Sequence, residues 1–139
     1  MTSSNEKFKY SRKSIALIRS MNALNTLSSI YIVIKNPTIY LTYIPHSIVC
    51  LSSACYWNNH KNEVVKVIDY SCVFGSLVNT WYWSFQNNRE VIVTPAIIIV
   101  AFLYVMSMHY KRANREKKCV LYHCLTYLVA NIGIVIAFS

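Results

Sequence analysis

The sequence predicts an all-α integral membrane protein, a single polytopic bundle of about five transmembrane helices. Hydrophobic residues make up 55% of the 139 residues and charged residues 14%, whereas a soluble domain usually carries about 25% charge. The apolar residues form uninterrupted blocks, and the basic residues behind the net charge of +9 stand just outside them, as in the cytoplasmic flanks of membrane helices. The expected partner is therefore a lipid bilayer rather than nucleic acid.

The N-terminal part of the chain combines a basic tail with a weakly apolar first helix. Residues 1–13 are polar and basic, and we expect a tail that is disordered or lies on the membrane surface. Residues 14–34 predict one helix whose apolar second half is interrupted by Asn25, Thr26, Ser28 and Ser29. Small and hydroxyl side chains permit close helix packing inside a bilayer, which favours a transmembrane helix. The alternative is a helix on the membrane surface, with Arg19 among the headgroups.

The second and third helices are predicted at residues 39–57 and 64–85. Pro37 ends the first helix, because the residue before a proline disfavours helical geometry. Pro45 lies inside the second helix and can kink it by removing a backbone donor. The third helix ends in an aromatic cluster of the kind that favours the headgroup level of a bilayer. Its members are Trp81, Tyr82, Trp83 and Phe85.

The last two helices are the most apolar. Residues 91–109 contain no Asp, Glu, Lys or Arg, and Pro95 lies in the first turns, where its missing N–H does least harm. Residues 119–138 close the chain with a further apolar helix. The chain therefore divides into a basic cytoplasmic tail at 1–13 and one transmembrane helical domain at 14–139.

The distribution of basic residues predicts the orientation. If the N-terminus is cytoplasmic and every helix crosses, twelve basic residues fall on the cytoplasmic side and two, Lys35 and Arg89, fall outside. Lys and Arg are enriched in the cytoplasmic loops of membrane proteins. We therefore expect a multi-pass protein with its N-terminus in the cytoplasm.

The cysteines indicate neither a disulfide framework nor a zinc knuckle. All five fall within or at the ends of apolar blocks, and no two are spaced as CxxC. Buried free thiols behave as small hydrophobic side chains. A Gly-rich phosphate loop, a nucleophile elbow and paired carboxylates are also missing from the sequence, which argues against the corresponding enzyme classes.

Polar residues recur at helical spacing on three of the predicted helices, so that each set shares one face. The sets are His46, Cys50, Ser53, Trp57 and His60 on the second helix, Asp69, Cys72 and Ser76 on the third, and His123, Tyr127 and Asn131 on the fifth. In the expected topology, Trp57, Asp69 and His123 lie within about two turns of the cytoplasmic side. Because intramembrane polar residues normally face a bundle interior, we expect the three faces to converge.

Asp69 is the only acidic residue within a long apolar segment. Placing a carboxylate near a bilayer centre costs about 2.5 to 3.5 kcal/mol on insertion scales, so such a residue is a functional-site hypothesis. The alternative is that Asp69 lies near the membrane edge and pairs with Lys66, one turn earlier.

These positions resemble the superfamily of alkaline ceramidases and progestin/adipoQ receptors, which are seven-helix membrane proteins with a zinc site. Four motifs keep the order and spacing of that family: Asn25-Thr26-Leu27-Ser28, Ser53-Ala54-Cys55-Tyr56-Trp57, Ile68-Asp69-Tyr70-Ser71 and His123-Cys124-Leu125-Thr126-Tyr127. The resemblance implies that a metal-activated water attacks a lipid amide such as ceramide. It also implies Ser53 and Asp69 as catalytic residues that orient the water, and His123 as a metal ligand.

Two departures from the family pattern concern the metal. Trp57 and Tyr127 stand where the resemblance implies histidine, and catalytic zinc uses three protein ligands. His60, one turn beyond Trp57, is the substitute ligand that the sequence offers, although Asn58 and Asn59 favour the end of the helix before it. We therefore expect Trp57 and Tyr127 to line a pocket and no cofactor to bind, zinc being the one that the resemblance allows.

Two functions remain open from the sequence. The favoured one is a lipid-binding or membrane-interaction module, a non-catalytic or degenerate relative of zinc-dependent lipid amidases. The alternative is an active zinc-dependent membrane hydrolase that cleaves a lipid amide such as ceramide.

Overall fold

The computed structural model describes residues 9–35, 40–59 and 62–138, and within these ranges the chain is all-α. The helices are α1 (Arg12–Lys35), α2 (Tyr40–Asn58), α3 (Glu63–Gln86), α4 (Glu90–Arg112) and α5 (Glu116–Phe138). The boundaries predicted from the sequence agree with these to within one helical turn. The all-α fold class is confirmed.

Asparagine residues shape the connections between the last four helices. Before α3, the Asn62 side chain accepts hydrogen bonds from the backbone N–H groups of Val64 and Val65 at 2.9 and 3.3 Å. These bonds satisfy two of the donors that a helix N-terminus leaves unpaired. Asn88 and Asn114 lie in the turns after α3 and α4 with φ of 54° and 55°, a left-handed conformation in which Asn is enriched. The short turns make α3, α4 and α5 antiparallel neighbours.

Contacts between chain segments define two ends of the bundle. Ser11, just before α1, and Ser14, in its first turn, donate hydrogen bonds to Glu116, the first residue of α5. Because α3 runs antiparallel to α4, the α2–α3 connection lies at this end too, which we call the basic end. At the opposite end, the Asn87 side chain donates to the carbonyl of Ala137 at 2.8 Å.

The helices do not pack equally closely. The α4–α5 pair makes the most extensive contact, and a Cβ built on Gly133 of α5 would lie 3.3 Å from the Ala96 Cβ of α4. Helix α1 packs on α2 and α5, while α3 packs mainly on α2 and only sparsely on α4 and α5. A space is therefore left between α3 and the α4–α5 pair.

The burial pattern of α3 is the reverse of that of a helix in a soluble protein. Its buried residues are all polar: Asp69, Ser76, Thr80 and Ser84. Its large exposed residues are Val64, Val67, Ile68, Phe74, Val78, Trp81, Tyr82 and Phe85. Helix α1 shows the same tendency, because Asn22, Asn25 and Ser29 are buried while Leu24 and Leu27 are exposed. An apolar exterior of this extent favours contact with lipid.

The two halves of the bundle have different cores. In the half away from the basic end, the buried cluster consists of apolar residues and one aromatic residue: Ile32, Val93, Ile134, Ala137 and Phe138. In the half near the basic end, which we call the basic half, the cluster contains Ile18, Tyr56, Trp57 and Val120. The basic half therefore relies on large aromatic side chains, between which the packing is less complete.

Two of the described helices, α4 and α5, are long and apolar enough to cross a membrane. Only 17% and 22% of their most apolar stretches are buried inside the protein, whereas a core helix of a soluble protein is buried on all sides. The polar residues on the inner faces of α1 and α3 lower the apolar content of those helices. The sequence prediction is thus met in its coarser form, with five helices of which two are candidate membrane spans.

Candidate functional site

A cavity of about 360 Å³ lies in the basic half, in the space between α3 and the α4–α5 pair. All five helices or their flanking residues contribute to its wall, which is mostly apolar and aromatic, with a few polar groups. Small-molecule sites in proteins have this character and volumes of about 300 to 1,000 Å³. The cavity is therefore large enough to be a binding site, at the lower end of that range.

Asp69 is the one acidic residue of the cavity wall among the residues that the structure describes. Its Oδ1 accepts hydrogen bonds from the hydroxyls of Ser53 at 2.7 Å and Ser52 at 2.8 Å. The alternative pairing with Lys66 is wrong, because the Lys66 ammonium lies 3.1 Å from Glu63 on the exposed side of α3. Two hydroxyl donors thus offset part of the cost of burying this carboxylate.

Three aromatic residues pack around one another at the basic end of the cavity. The indole N–H of Trp57 donates to the Tyr127 hydroxyl at 3.2 Å. The His123 ring lies edge-on to both, with centroid distances of 5.1 Å to Trp57 and 5.3 Å to Tyr127. Its Nδ1 is 3.5 Å from the Ser107 hydroxyl. His123 is therefore held by aromatic packing and a long polar contact.

Five of the six site residues predicted from the sequence line this one cavity: Ser53, Trp57, Asp69, His123 and Tyr127. The three polar faces of α2, α3 and α5 thus meet in the bundle interior. The sixth residue, His60, lies outside the described residues.

The residues around His123 do not fit the zinc site that the resemblance implies. Across the described ranges, no group of three or more His, Cys, Asp or Glu side chains is placed to hold a metal ion. Trp57 and Tyr127 occupy two ligand positions of the family motif and hydrogen-bond each other. An indole offers zinc no lone pair, so these residues do not complete a three-ligand zinc site.

The deep end of the cavity, towards the middle of the bundle, adds further polar groups. His46 is 2% exposed, and its Nδ1 lies 3.2 Å from the Ser76 hydroxyl. Asn25 is 3% exposed, and its side-chain nitrogen contacts the Cys50 sulfur at 3.9 Å. The Asn25 Oδ1 is buried and accepts no hydrogen bond from the described residues.

Tyr10 fills the end of the cavity that faces the basic end of the bundle. Its ring packs edge-on against Trp57 at a centroid distance of 5.3 Å, and its hydroxyl lies 3.5 Å from the Cys119 sulfur. The Lys111 ammonium stands 5.8 Å from the centre of the ring. Burial and the contact with Cys119 raise the pKa of the Tyr10 hydroxyl. The sequence analysis expected a tail that is disordered or lies on the membrane surface. The position of Tyr10 differs from that expectation, because its ring packs against Trp57 inside the bundle.

The cavity opens sideways, between α3 and α4. Phe74 and Val105 line it, yet they are 70% and 63% exposed on the outer surface of the bundle. Ala101, between them, also lines it and is exposed. The cavity is only partly enclosed, and these exposed wall residues place its opening between α3 and α4, on the outer surface of the bundle.

Comparison with known proteins gives no relative: no family model, curated protein or solved structure matches the chain. The site is therefore interpreted from its own geometry.

Sequence reasoning missed several residues of the site, including Ser52, which bonds Asp69, and Tyr10 and Tyr104, which line the cavity. Ser52 directly precedes the predicted Ser53, and a second hydroxyl one residue away was a signal that α2 offers Asp69 two donors. Tyr10 is an aromatic residue in an otherwise polar tail, which indicates that the tail can turn back onto the bundle. Tyr104 carries no signal in the sequence that separates it from a lipid-facing aromatic residue.

Proposed function

We propose that this chain is a non-catalytic membrane protein that binds a single-chain amphiphile in the cavity of its basic half. The observation that carries this proposal is the combination of an apolar cavity of about 360 Å³ with a lateral opening between α3 and α4. An opening on the apolar side of a bundle admits a ligand from hydrocarbon without passage through water.

The proposal includes a five-span architecture with the basic end in the cytoplasm. Its support is the burial pattern of α3, whose buried residues are all polar and whose large apolar residues are exposed, together with the buried Asn22, Asn25 and Ser29 of α1. Backbone polar groups of an α-helix are satisfied internally, so helices with apolar exteriors are compatible with lipid. The concentration of Lys and Arg near the basic end fits the cytoplasmic side.

The amphiphile lies with its alkyl chain along α3 and α4 and its polar head near Asp69. Leu77, Val100 and Val73 supply apolar wall on the path from the opening. Asp69 stands closer to the basic end than these residues, six positions after the start of α3. A ligand with one apolar chain and one polar head matches this division of the wall.

A non-catalytic role is favoured because the machinery for hydrolysis is incomplete. The Asp69 Oδ1 is already engaged by two serine hydroxyls, and the groups next to His123 are aromatic rings. A metal-activated water beside Asp69 would need three protein ligands on the metal, and the Trp57 indole supplies none.

Fluorescence quenching of Trp57 tests this proposal. A variant with Trp81→Phe and Trp83→Phe leaves Trp57 as the only indole, and Trp57 lines the cavity. In phosphatidylcholine nanodiscs, tetradecanol brominated along its chain should quench this indole with a saturable dependence on concentration.

A second variant reports the background. With Trp57→Phe and Trp83→Phe, the remaining Trp81 is 46% exposed on the outer surface and should be quenched in proportion to the bromine concentration in the bilayer. Quenching of Trp57 that follows the same proportional dependence would overturn the proposal, because it would indicate no bound site.

A further inference from the structure

The carboxylate of Asp69 is buried without a cationic partner among the described residues. Both recorded hydrogen bonds end on Oδ1, and the described residues donate none to Oδ2. The nearest lysine along α3, Lys66, is engaged by Glu63. A buried charge without a partner is strongly unfavourable, and an ion of opposite sign with additional hydrogen bonds offsets that cost.

The other charged group of the cavity wall stands apart from Asp69. Lys111 is the only Lys or Arg among the lining residues that the structure describes, and it lies against the Tyr10 ring at the basic end. At 1.5 Å per residue, Asp69 lies about 9 Å from the start of α3, whereas Lys111 is about 2 Å from the end of α4. A cation beside Asp69 would therefore sit deeper than Lys111 and away from it.

A second oxygen of the wall lacks a donor. The Asn25 Oδ1 is buried and accepts no hydrogen bond from the described residues, and Asn25 lines the cavity. With Asp69, the wall thus offers at least two acceptors, and the buried Tyr104 hydroxyl, which has no hydrogen-bond partner among the described residues, can act as a third. Buried acceptors normally find a donor, so a ligand that fits this wall carries N–H or O–H groups.

We propose that the ligand of this cavity is a single-chain amine whose primary ammonium head pairs with the Asp69 carboxylate. The inference rests on the proposed function, since it names the head group of the amphiphile assigned to the cavity. An ammonium is a compact cation with three donors, so it can pair with Asp69 Oδ2 and retain donors for neighbouring oxygens. A carboxylate head is repelled by Asp69, and an alcohol supplies a donor without the charge.

Competition against the brominated tetradecanol separates these head groups. Tetradecylamine, tetradecanol and tetradecanoate, all unbrominated, are added to the variant that keeps only Trp57, in zwitterionic nanodiscs. Their concentrations are expressed as measured mole fractions in the bilayer. The amine should restore Trp57 fluorescence at a mole fraction about tenfold below that of the alcohol, because charge-assisted hydrogen bonds are roughly twice as strong as neutral ones. The carboxylate should be the weakest competitor.

Two substitutions test whether Asp69 causes the preference for the amine over the alcohol. Asp69→Asn keeps the shape of the side chain and should reduce the preference for the amine over the alcohol to about twofold or less. Glu63→Gln removes an exposed acidic residue on the same helix, engaged by Lys66 outside the cavity, and should leave the preference intact. The unfolding transition of each variant is measured alongside, so that loss of fold is seen directly.

The outcomes distinguish the two proposals. Equal competition by all three compounds, or the same amine preference in Asp69→Asn, overturns the ammonium inference while leaving a chain-binding cavity. Absence of saturable quenching and of competition by any compound overturns the proposed function itself. Tighter competition by the alcohol than by the amine overturns the inference in favour of a neutral head.

Discussion

The two halves of this bundle are built from the same five helices but differ in their interiors, since one holds an apolar core and the other a cavity. In the half away from the basic end, Val93 and Ala137 are fully buried among apolar neighbours. In the basic half, the inward positions hold Asp69 and Ser53, and a cavity remains beside them. The comparison teaches that the inner face of α3, polar along its whole length, is buried at Thr80 and Ser84 but borders a cavity at Asp69. One half therefore carries stability and the other carries the site.

Loss of packing in the half away from the basic end should have the largest effect on the free energy of unfolding. Ile32 is 4% exposed in the apolar cluster, and Ile32→Ala should reduce the free energy of unfolding by about 2 kcal/mol or more, because a cavity is left. The measurement is denaturant unfolding in mixed micelles. Ile34→Ala is the matched control, because Ile34 is 71% exposed on the same helix. Equal losses in both variants would contradict the assignment of the core.

Substitutions of the two glycines test the packing at the close contact between α4 and α5 and at a position of α3 with open space around it. Gly133→Leu should destabilise the protein by about 1 to 3 kcal/mol, since overpacking forces backbone or side-chain shifts and its Cβ would already lie 3.3 Å from Ala96. Gly75→Leu should be neutral or stabilising, because a Cβ there meets nothing within 4 Å and glycine is a poor helix former. Unfolding of the two variants in parallel checks this, and the reverse order would refute the packing described for α4 and α5.

Removal of a hydroxyl beside Asp69 should lower the free energy of unfolding by a smaller amount, and this amount should depend on the carboxylate. Ser53→Ala should cost about 1 kcal/mol, because hydrogen bonds to a charged group are stronger than average, while those inside membranes average about 0.6 kcal/mol. The cost should shrink in the Asp69→Asn background, as a double-mutant cycle measures directly. Ser71→Ala, on the exposed face of α3, serves as control. Additive losses would show that Ser53 and Asp69 are uncoupled.

The closing of the basic end by Tyr10 should affect accessibility more than stability. Tyr10→Ala removes the ring that packs on Trp57, so acrylamide should quench Trp57 more strongly in the background that lacks the other two tryptophans. Tyr82→Ala, with Tyr82 55% exposed near the opposite end, should leave the quenching unchanged. Unaltered quenching in Tyr10→Ala would exclude Tyr10 as the residue that closes the cavity.

The sequence predicted the helices and the meeting of polar faces for the same physical reason. Uninterrupted apolar blocks specify helix length, and polar residues at spacings of three and four specify one face. For α3, that face is the buried one, as Asp69 and Ser76 show. Each prediction depends on local spacing, which a single chain displays directly.

The shape of the site could not be predicted in the same way. Whether α3 packs on α4 or stands away from it depends on side chains from several helices at once. The position of Tyr10 depends on its contact with Cys119, which is more than one hundred residues away in the sequence. The alternative pairing of Asp69 with Lys66 was locally reasonable, but the Lys66 ammonium contacts Glu63 on the outer side. Long-range packing therefore decided what local spacing left open.

Native mass spectrometry of the protein equilibrated with tetradecanol tests the central claim most directly. The wild-type protein should retain one tetradecanol molecule. Ala130→Phe, which fills the cavity wall on α5, should retain none, and Leu128→Phe, at an exposed position of the same helix, should retain one. A wild-type protein without a bound chain, or equal retention by Ala130→Phe, would contradict the claim that the cavity binds the amphiphile.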